Sequence, residues 1–251
     1  MNTNHDLNRN THPNRLVIDR LTVAYQAAAD TVVPFEHFSL TVEPGELVLL
    51  HGPSGCGKTT LLSAIGGLLT PRAGTITLGG LPITGAAGKR LLRHRRDNVG
   101  IVFQAFNLVP SLTAVENVAV PMRVAGASWR AAKQRATELL TQLGLDHRLQ
   151  HRPAQLSGGQ QQRVAIARAL VNDPPVILAD EPTAHLDHSQ IENVRSILRQ
   201  IADAGRIVVI STHDDRLTEV ADRVVRMGAG TPAVAPAAVA GEAAKDELVS
   251  A

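Results

Sequence analysis

Hydrophobic and polar residues alternate along parts of the chain in a way that predicts half-buried strands. In these segments the side chains change between apolar and polar at nearly every residue, as expected where one face of a strand is covered. The segments are LVIDRLTVAY (16–25), HFSLTV (37–42) and TITLGG (75–80). Together they predict an antiparallel β region.

A second set of segments is short and entirely apolar. These segments lie at 47–50, 99–103, 176–179 and 207–210. Strands of a parallel sheet are covered on both faces, so they appear in a sequence as continuous apolar runs. We therefore predict the α/β fold class, with a parallel sheet as the core and the antiparallel region packed beside it.

Residues 105 to about 155 have a helical character instead. Thr113 and Glu116 fit a capping box. Residues 128–144 follow with apolar side chains at helical spacing, and Gly144 is a suitable stop. We interpret this stretch as a helical subdomain inserted in the α/β core.

The two ends of the chain differ in composition from the middle. Residues 1–14 are polar and rich in Asn and His, which predicts a disordered segment. Residues 229–251 are rich in Ala, Pro and Gly, which predicts a flexible tail. One domain is therefore expected over residues 15–228.

Composition excludes some functions and permits others. The 251 residues carry a formal charge of +2, and aromatic residues make up 2%. So few aromatic side chains disfavour the stacking platforms of single-stranded nucleic-acid binding, and no nucleic-acid partner is expected. No apolar run approaches the roughly 20 residues that cross a bilayer, and residues 1–15 lack the apolar core of a secretory signal. Any membrane function should therefore depend on another subunit.

A glycine-rich loop carries the first chemical signal. GPSGCGKTT (52–60) fits G-x-x-x-x-G-K-[ST], between an apolar strand and a helical segment. Such a loop turns its backbone N–H groups toward phosphates, while Lys58 reaches the β and γ phosphates and the Thr59 hydroxyl binds Mg²⁺. The predicted nucleotide-binding residues here are Gly52, Pro53, Ser54, Gly55, Cys56, Gly57, Lys58, Thr59 and Thr60. Cys56 is expected to contribute its backbone; a reactive thiol is the alternative.

A pair of acids follows the apolar run at 176–179. Asp180 ends this strand, where it would hold Mg²⁺, and Glu181 comes next, where it would orient and polarise the attacking water. Two acids at a strand end are also found as helix caps or solvated turn residues. The phosphate loop in the same chain favours the catalytic interpretation.

Three further motifs complete a known pattern. LSGGQ (156–160) precedes QQRVAIARAL, VILADEPTAHLD covers 176–187, and STHD covers 211–214. In this order and spacing, together with the phosphate loop, the chain resembles the ATP-binding cassette (ABC) family over roughly residues 15–228. The resemblance implies a nucleotide-binding domain with a RecA-like parallel-sheet core, an antiparallel β subdomain and a helical subdomain. It also implies an ATPase that uses ATP and Mg²⁺ as a homodimer.

The resemblance assigns roles to individual residues. Ser157, Gly158, Gly159 and Gln160 would face the γ-phosphate bound to the other copy, and Ser157 is also a good N-cap. Gln104 matches the Q-loop glutamine that senses Mg²⁺ and the attacking water. The other matches are the switch histidine His213, the D-loop aspartate Asp187 and the adenine-stacking aromatic Tyr25.

The expected catalytic residues are thus Lys58, Gln104, Glu181 and His213, and the expected metal ligands are Thr59, Gln104 and Asp180. Tyr25 has an alternative interpretation as a core tyrosine at a strand end. His185, two residues before Asp187, departs from the family pattern.

Softer features point to one branch of the family. Gly66–Gly67 and FQAFNLVPSLTAVENV (103–118) resemble the lipoprotein-release and macrolide-efflux group. This implies a cytoplasmic subunit, peripheral on the inner face of the membrane, that powers a permease with a large extracytoplasmic domain. Export, lipoprotein release and mechanotransmission all fit. The alternative is a regulatory ATPase that controls cell-wall or division machinery through a permease-like partner.

The basic run at 88–96 is predicted to be a solvated helix face leading toward the Q-loop. Nucleic acid or anionic lipid head groups are the alternative partners for this run.

Overall fold

The computed structural model describes residues 14–27, 30–184, 186–228 and 233–236. Its strands are β1 (Leu16–Ala27), β2 (Asp30–Val42), β3 (Leu47–His51), β4 (Ala73–Leu78), β5 (Leu81–Pro82), β6 (Val99–Val102), β7 (Val176–Asp180), β8 (Ile207–Thr212), β9 (Arg223–Arg226) and β10 (Ala233–Pro236). Its α-helices are α1 (Lys58–Ile65), α2 (Gly88–Arg93), α3 (Ala114–Val124), α4 (Trp129–Gln142), α5 (Gly158–Leu170) and α6 (His188–Asp203).

The predicted parallel sheet is present. Six strands run in the order β10-β9-β3-β8-β7-β6, and all neighbours are parallel except β10 and β9. His51 pairs with Thr212, and Asp180 pairs with Ser211, so the carboxyl ends of β3, β7 and β8 meet at one edge. In an open parallel sheet this edge is where ligands bind.

The two faces of this sheet pack against different layers. In β3, Val48 and Leu50 pack in one hydrophobic cluster together with β1, β2 and α1, whereas Leu47 and Leu49 pack in another that includes α3 to α6. Strand side chains alternate between faces, so a fully apolar run fills both clusters at once. This accounts for the unbroken apolar runs seen in the sequence.

The predicted antiparallel region is a four-stranded sheet in the order β2-β1-β4-β5. Leu16 on β1 pairs with Val42 on β2 and with Leu78 on β4. The α/β fold class, with its parallel core, antiparallel β part and helical part, is confirmed.

The helical part begins as the capping signals predict. The Thr113 hydroxyl accepts from the Glu116 backbone N–H at 3.3 Å, and the Glu116 carboxylate accepts from the Thr113 N–H at 3.1 Å. The next helix, α4, ends at Gln142, close to Gly144 with its φ of 70°. The helix α5 packs on α3 and α4 as well as on β6, so the helical layer continues past residue 155.

The basic run differs from its prediction in its second half. After α2 the chain makes one π-helical turn, His94–Asn98. His94 is buried, and one of its ring nitrogens lies 2.9 Å from the Ile65 carbonyl oxygen. Arg95 donates to the carbonyl of Gly67. A uniform solvated helix face is therefore wrong here, because the extra residue in the π turn directs these side chains toward the end of α1.

The C-terminal region adds a strand that the sequence did not predict. Ala233–Pro236 pairs with β9 in antiparallel register at the edge of the parallel sheet. The Ala- and Pro-rich composition hides this short strand, and an edge position tolerates Pro236. The predicted disorder of residues 1–13 and the rest of the predicted tail lie outside the described residues. None of the described helices combines the length and apolar character needed to cross a membrane.

Candidate active site

A polar cleft of about 280 Å³ lies at the carboxyl edge of the parallel sheet. It is lined by Ser54, Gly55, Gly57, Lys58, Thr59, Thr60, Gln104, Glu181 and His213. These residues come from the glycine-rich loop, the segment after β6, and the loops after β7 and β8. The fold thus brings together the four residues expected to be catalytic.

The glycine-rich loop has a shape that side chains would obstruct. Gly57, the N-cap of α1, has a φ of 96°, and a Cβ there would lie 2.7 Å from the Pro34 Cβ. At Gly52 a Cβ would lie 2.1 Å from the Met227 carbonyl oxygen. Both positions therefore require glycine. No described side chain caps α1, so its first N–H groups face the loop without a side-chain acceptor.

Lys58 lies in the mouth of this loop. It is 6% exposed, and its Nζ donates to the carbonyl oxygens of Gly52 at 2.6 Å and Pro53 at 3.0 Å. The same Nζ is 3.9 Å from the Glu181 Oε1. A buried ammonium beside the start of a helix is a fitting receptor for phosphate oxygens.

Oxygen ligands suited to a divalent cation lie next to the loop. The Thr59 hydroxyl is 3.0 Å from both carboxylate oxygens of Asp180, and the Ser211 hydroxyl also donates to this carboxylate. Among the described residues, no three or more His, Cys, Asp or Glu side chains are arranged so that together they could hold a metal ion. Mg²⁺ is typically held by one or two carboxylates together with substrate phosphates, so the residues present fit this ion better than a cation that needs an all-protein cage.

Glu181 is held in a strained backbone conformation. Its φ is 44°, which is uncommon for a residue other than glycine. One carboxylate oxygen lies 3.0 Å from the His213 Nδ1, and the other accepts from the Thr212 hydroxyl at 3.1 Å. Strain of this kind persists only where surrounding contacts enforce it, and it is concentrated at functional sites. The carboxylate is thereby fixed toward the cleft.

The LSGGQ residues lie elsewhere in the chain. Ser157 caps α5: its hydroxyl accepts from the Gln160 N–H at 3.3 Å, and the Gln160 side chain accepts from the Ser157 N–H at 3.0 Å. Ser157 is exposed. Among the residues that line the cleft within the described chain, none belongs to this segment.

Residues 35–184 match the family whose profile is described as ABC transporter. The chain belongs to the ABC transporter family.

Several relatives in the family are closely similar. An ABC transporter ATP-binding protein of Mycobacterium tuberculosis is 56% identical over 84% of the chain, and the chain spans 64% of the length of that relative. The lipoprotein-releasing system ATP-binding protein LolD of Pseudomonas syringae is 42% identical over 82% of the chain and 92% of its own length. The macrolide export ATP-binding/permease protein MacB of Burkholderia pseudomallei is 42% identical over 86% of the chain and 33% of its own length.

A solved ABC cassette has the same fold. The ATP-binding cassette MJ0796, in a dimeric post-hydrolysis state bound to ADP and Pi, superposes with a TM-score of 0.78 at 38% identity. The alignment covers 84% of this chain and 94% of that one.

Asp187 and Tyr25 are the two remaining residues that were expected at the nucleotide site. Asp187 is the exposed N-cap of α6, where its carboxylate accepts from the Gln190 N–H at 3.0 Å. This backbone hydrogen bond, followed by the hydrogen bond that the Ser189 hydroxyl donates, lowers the pKa of Asp187. A Cβ on Gly159 would lie 2.7 Å from the Gln190 side chain, so the LSGGQ segment packs next to the start of α6.

Only the backbone of Tyr25 is described, paired with Val32, and its adenine contact stays a prediction. His185 lies outside the described residues.

The cleft also depends on residues that sequence reasoning missed. Ser211 and Thr212 hold the two acids, and both lie within the STHD motif, where only the histidine was given a role. Their position at the end of an apolar strand, beside the acid-bearing strand, was the available signal.

A second concavity, of about 420 Å³, lies between the parallel sheet and the helical layer of this ABC cassette. Most of the residues that line it are apolar, and three of them are arginines. The lining residues are Arg95, Arg96, Val99, Gly100, Ile101, Phe103, Val120, Pro121, Val124, Arg168, Ala169 and Asn172. We call it the interlayer groove.

Proposed function

We propose that this chain is the ATP-binding and ATP-hydrolysing subunit of a transporter. The observation that carries the proposal is the cleft in which Lys58, Thr59 and Asp180 lie beside Glu181. A phosphate-binding ammonium, a cation site and a fixed carboxylate are the groups that phosphoryl transfer to water needs.

Each residue has a separate task in this proposal. Lys58 and the first N–H groups of α1 bind the phosphates. Glu181, held by Thr212 and His213, orients the attacking water and accepts its proton, while exposed His213 contacts the γ-phosphate. Thr59, Asp180 and Gln104 would hold Mg²⁺, which supplies charge neutralisation at the phosphates when bound.

The LSGGQ segment of a second copy supplies the remaining hydrogen-bond donors to the phosphates. Ser157 and the two glycines begin α5, so a positive helix end is presented at the surface. The LSGGQ segment of each copy would cover the cleft of the other in a head-to-tail homodimer. The dimeric arrangement of the similar cassette MJ0796 supports this assembly.

A membrane permease is the proposed partner of the interlayer groove. Apolar Val120, Pro121 and Val124 line it, and Val124 is 78% exposed, as expected of a surface that a short amphipathic helix covers. The similarity to LolD and to the ATP-binding/permease protein MacB supports a permease partner. In this proposal the partner has a large extracytoplasmic domain, and the chain lies on the inner face of the membrane. Closure of the dimer would then move the helical layer and the docked permease helix.

The first test measures hydrolysis and assembly together. The purified chain should release phosphate from ATP, and Glu181→Gln should lower the rate about 100- to 1000-fold, because it removes the proton acceptor. The variant should still bind ATP and accumulate as an ATP-dependent dimer in size-exclusion chromatography. No hydrolysis by the unaltered chain would contradict the ATPase, and an unchanged rate in the variant would contradict the role of Glu181.

The second test concerns the permease. Val124→Glu places a charge among the apolar lining residues of the groove. It should reduce binding to permease-containing membrane vesicles from the protein's own source about tenfold, since a carboxylate that the docked helix covers must lose its water. Leu92→Glu is a matched control, because Leu92 is 63% exposed and does not line the groove. Equal binding by both variants would place the permease on another surface.

A further inference from the structure

The segment after β6 contains an unusual turn. Two successive residues, Phe106 and Asn107, have positive φ values of 57° and 49°. The Phe106 N–H donates to the Phe103 carbonyl at 3.1 Å, and the Asn107 N–H donates to the Ala105 carbonyl at 2.6 Å. Left-handed backbone at two adjacent residues other than glycine needs external support. Gln104, which lines the cleft, lies just before this turn.

Arg168 supplies such support. Its guanidinium donates to two backbone carbonyls of the turn, at 2.7 Å to Phe106 and 2.5 Å to Asn107. A planar guanidinium can address two neighbouring oxygens at fixed geometry, which a lysine ammonium cannot do equally well. No ion pair joins Arg168 to a carboxylate within the part of the chain that the structure describes.

The burial of Arg168 increases the contribution of these two hydrogen bonds to stability. The side chain is half-buried, and this burial lowers the pKa of the guanidinium. A desolvated cation depends on the acceptors that remain, so Arg168 and the two carbonyls stabilise one another. Arg168 also lines the interlayer groove, as does Phe103.

We propose that Arg168 is a positioning residue for the ATPase reaction: it fixes the turn at Phe106 and Asn107 and thereby holds Gln104 at the cleft. Arg168 lies in the last turn of α5, the helix whose first turn is the LSGGQ segment. A displacement of α5 therefore moves the turn that carries Gln104. The inference rests on the proposed function, in which Gln104 faces Mg²⁺ and the attacking water.

Arg95 offers a matched control. It also lines the groove and also donates to a backbone carbonyl, but that carbonyl belongs to Gly67, after α1. Arg95→Ala removes a guanidinium from the same groove and leaves the Q-loop turn bonded. A difference between Arg168→Ala and Arg95→Ala therefore separates support of the turn from the general charge of the groove.

The first readout is amide hydrogen exchange of the full chain without nucleotide, followed in peptides that cover residues 103–109. Arg168→Ala should accelerate exchange there about tenfold, since two charge-assisted hydrogen bonds are lost. Arg168→Lys should give a smaller acceleration, and Arg95→Ala none. If Arg168→Ala does not fold, the exchange rate of Arg168→Lys, which keeps the positive charge, tests the proposal instead. Unchanged exchange in the Arg168 variants would overturn the proposal.

The second readout is the Mg²⁺ concentration that gives half-maximal ATP hydrolysis. Arg168→Ala should raise it about tenfold, because Gln104 is displaced, while binding of a fluorescent ATP analogue in EDTA stays unchanged. A merely structural role would lower the melting temperature and leave the Mg²⁺ requirement alone. An equal rise in Arg95→Ala would also overturn the proposal. Absence of hydrolysis in the unaltered chain would contradict the proposed function. The hydrogen-exchange result would still test whether Arg168 stabilises the turn at Phe106 and Asn107.

Discussion

The phosphate cleft and the LSGGQ segment differ in what holds their polar residues in place. In the cleft, side chains bond to one another across separate elements: Thr59 of α1 to Asp180 of β7, and Glu181 to Thr212 of β8. In the LSGGQ segment, the side chains of Ser157 and Gln160 each accept from the backbone N–H of the other residue, across the first turn of α5. The cleft is therefore organised within one chain by tertiary structure, whereas the LSGGQ segment is organised locally.

This difference has a functional meaning under the proposed mechanism. A cleft that is already assembled can bind nucleotide in a single copy. A self-capped helix end at the surface needs no partner to keep its shape, so it can be presented to another molecule at little cost in order. One chain thus carries two half-sites that do not meet each other.

The largest expected effect comes from separating the two half-sites in different chains. Lys58→Ala damages the cleft, and Ser157→Asp puts a carboxylate where a phosphate should approach while keeping a good N-cap. Each variant alone should be inactive. An equal mixture should recover about a quarter of the unaltered activity, because half of the dimers are mixed and each mixed dimer has one intact site of two.

The matched control for this experiment combines two defects of the same half. A mixture of Lys58→Ala with Asp180→Ala leaves no mixed dimer with an intact site, so phosphate release should stay at the background level. Recovery in this control, or no recovery with Ser157→Asp, would contradict a site shared between two copies.

A smaller effect distinguishes capping from catalysis at Ser157. Ser157 caps α5 and Ser128 caps α4, in each case by accepting a backbone N–H of the first turn. Replacing either by Ala should lower the free energy of unfolding by about 1 kcal/mol, which urea denaturation measures. ATP hydrolysis should fall about 100-fold in Ser157→Ala and stay unchanged in Ser128→Ala, because a transition-state donor is lost only at Ser157. Equal activity in the two variants would reduce Ser157 to a cap.

The features that the sequence predicted are encoded in the residue types at a few neighbouring positions of the chain. Gly57 has a positive φ, and Gly52 lies close to Met227, so both positions require glycine. This requirement is what the glycine spacing of the phosphate loop records in the sequence. Apolar runs predicted the parallel strands because both faces of each strand are buried. The capping box at Thr113 predicted the start of α3 from four residues alone.

The features that the sequence did not predict depend on contacts between distant residues. Glu181 and His213 are 32 residues apart, and the sequence did not predict a contact between them. Arg168 reaches carbonyls 61 and 62 residues away, and a backbone carbonyl leaves no mark in the amino-acid pattern. The left-handed backbone at Glu181, Phe106 and Asn107 has the same origin, since tertiary contacts impose it against local preference.

The length of α5 relates a rotation at its first turn to a displacement at its last turn. Arg168 lies eleven residues after Ser157, which at 1.5 Å per residue places it about 16 Å along the axis. If the helix pivots at its first turn by about 10°, its far end moves by about 3 Å, more than a hydrogen bond can stretch and remain one. Under the proposed mechanism, a small rotation of α5 at the end that meets a second copy would therefore either carry the Q-loop turn along or break the hydrogen bonds from Arg168 to the Phe106 and Asn107 carbonyls.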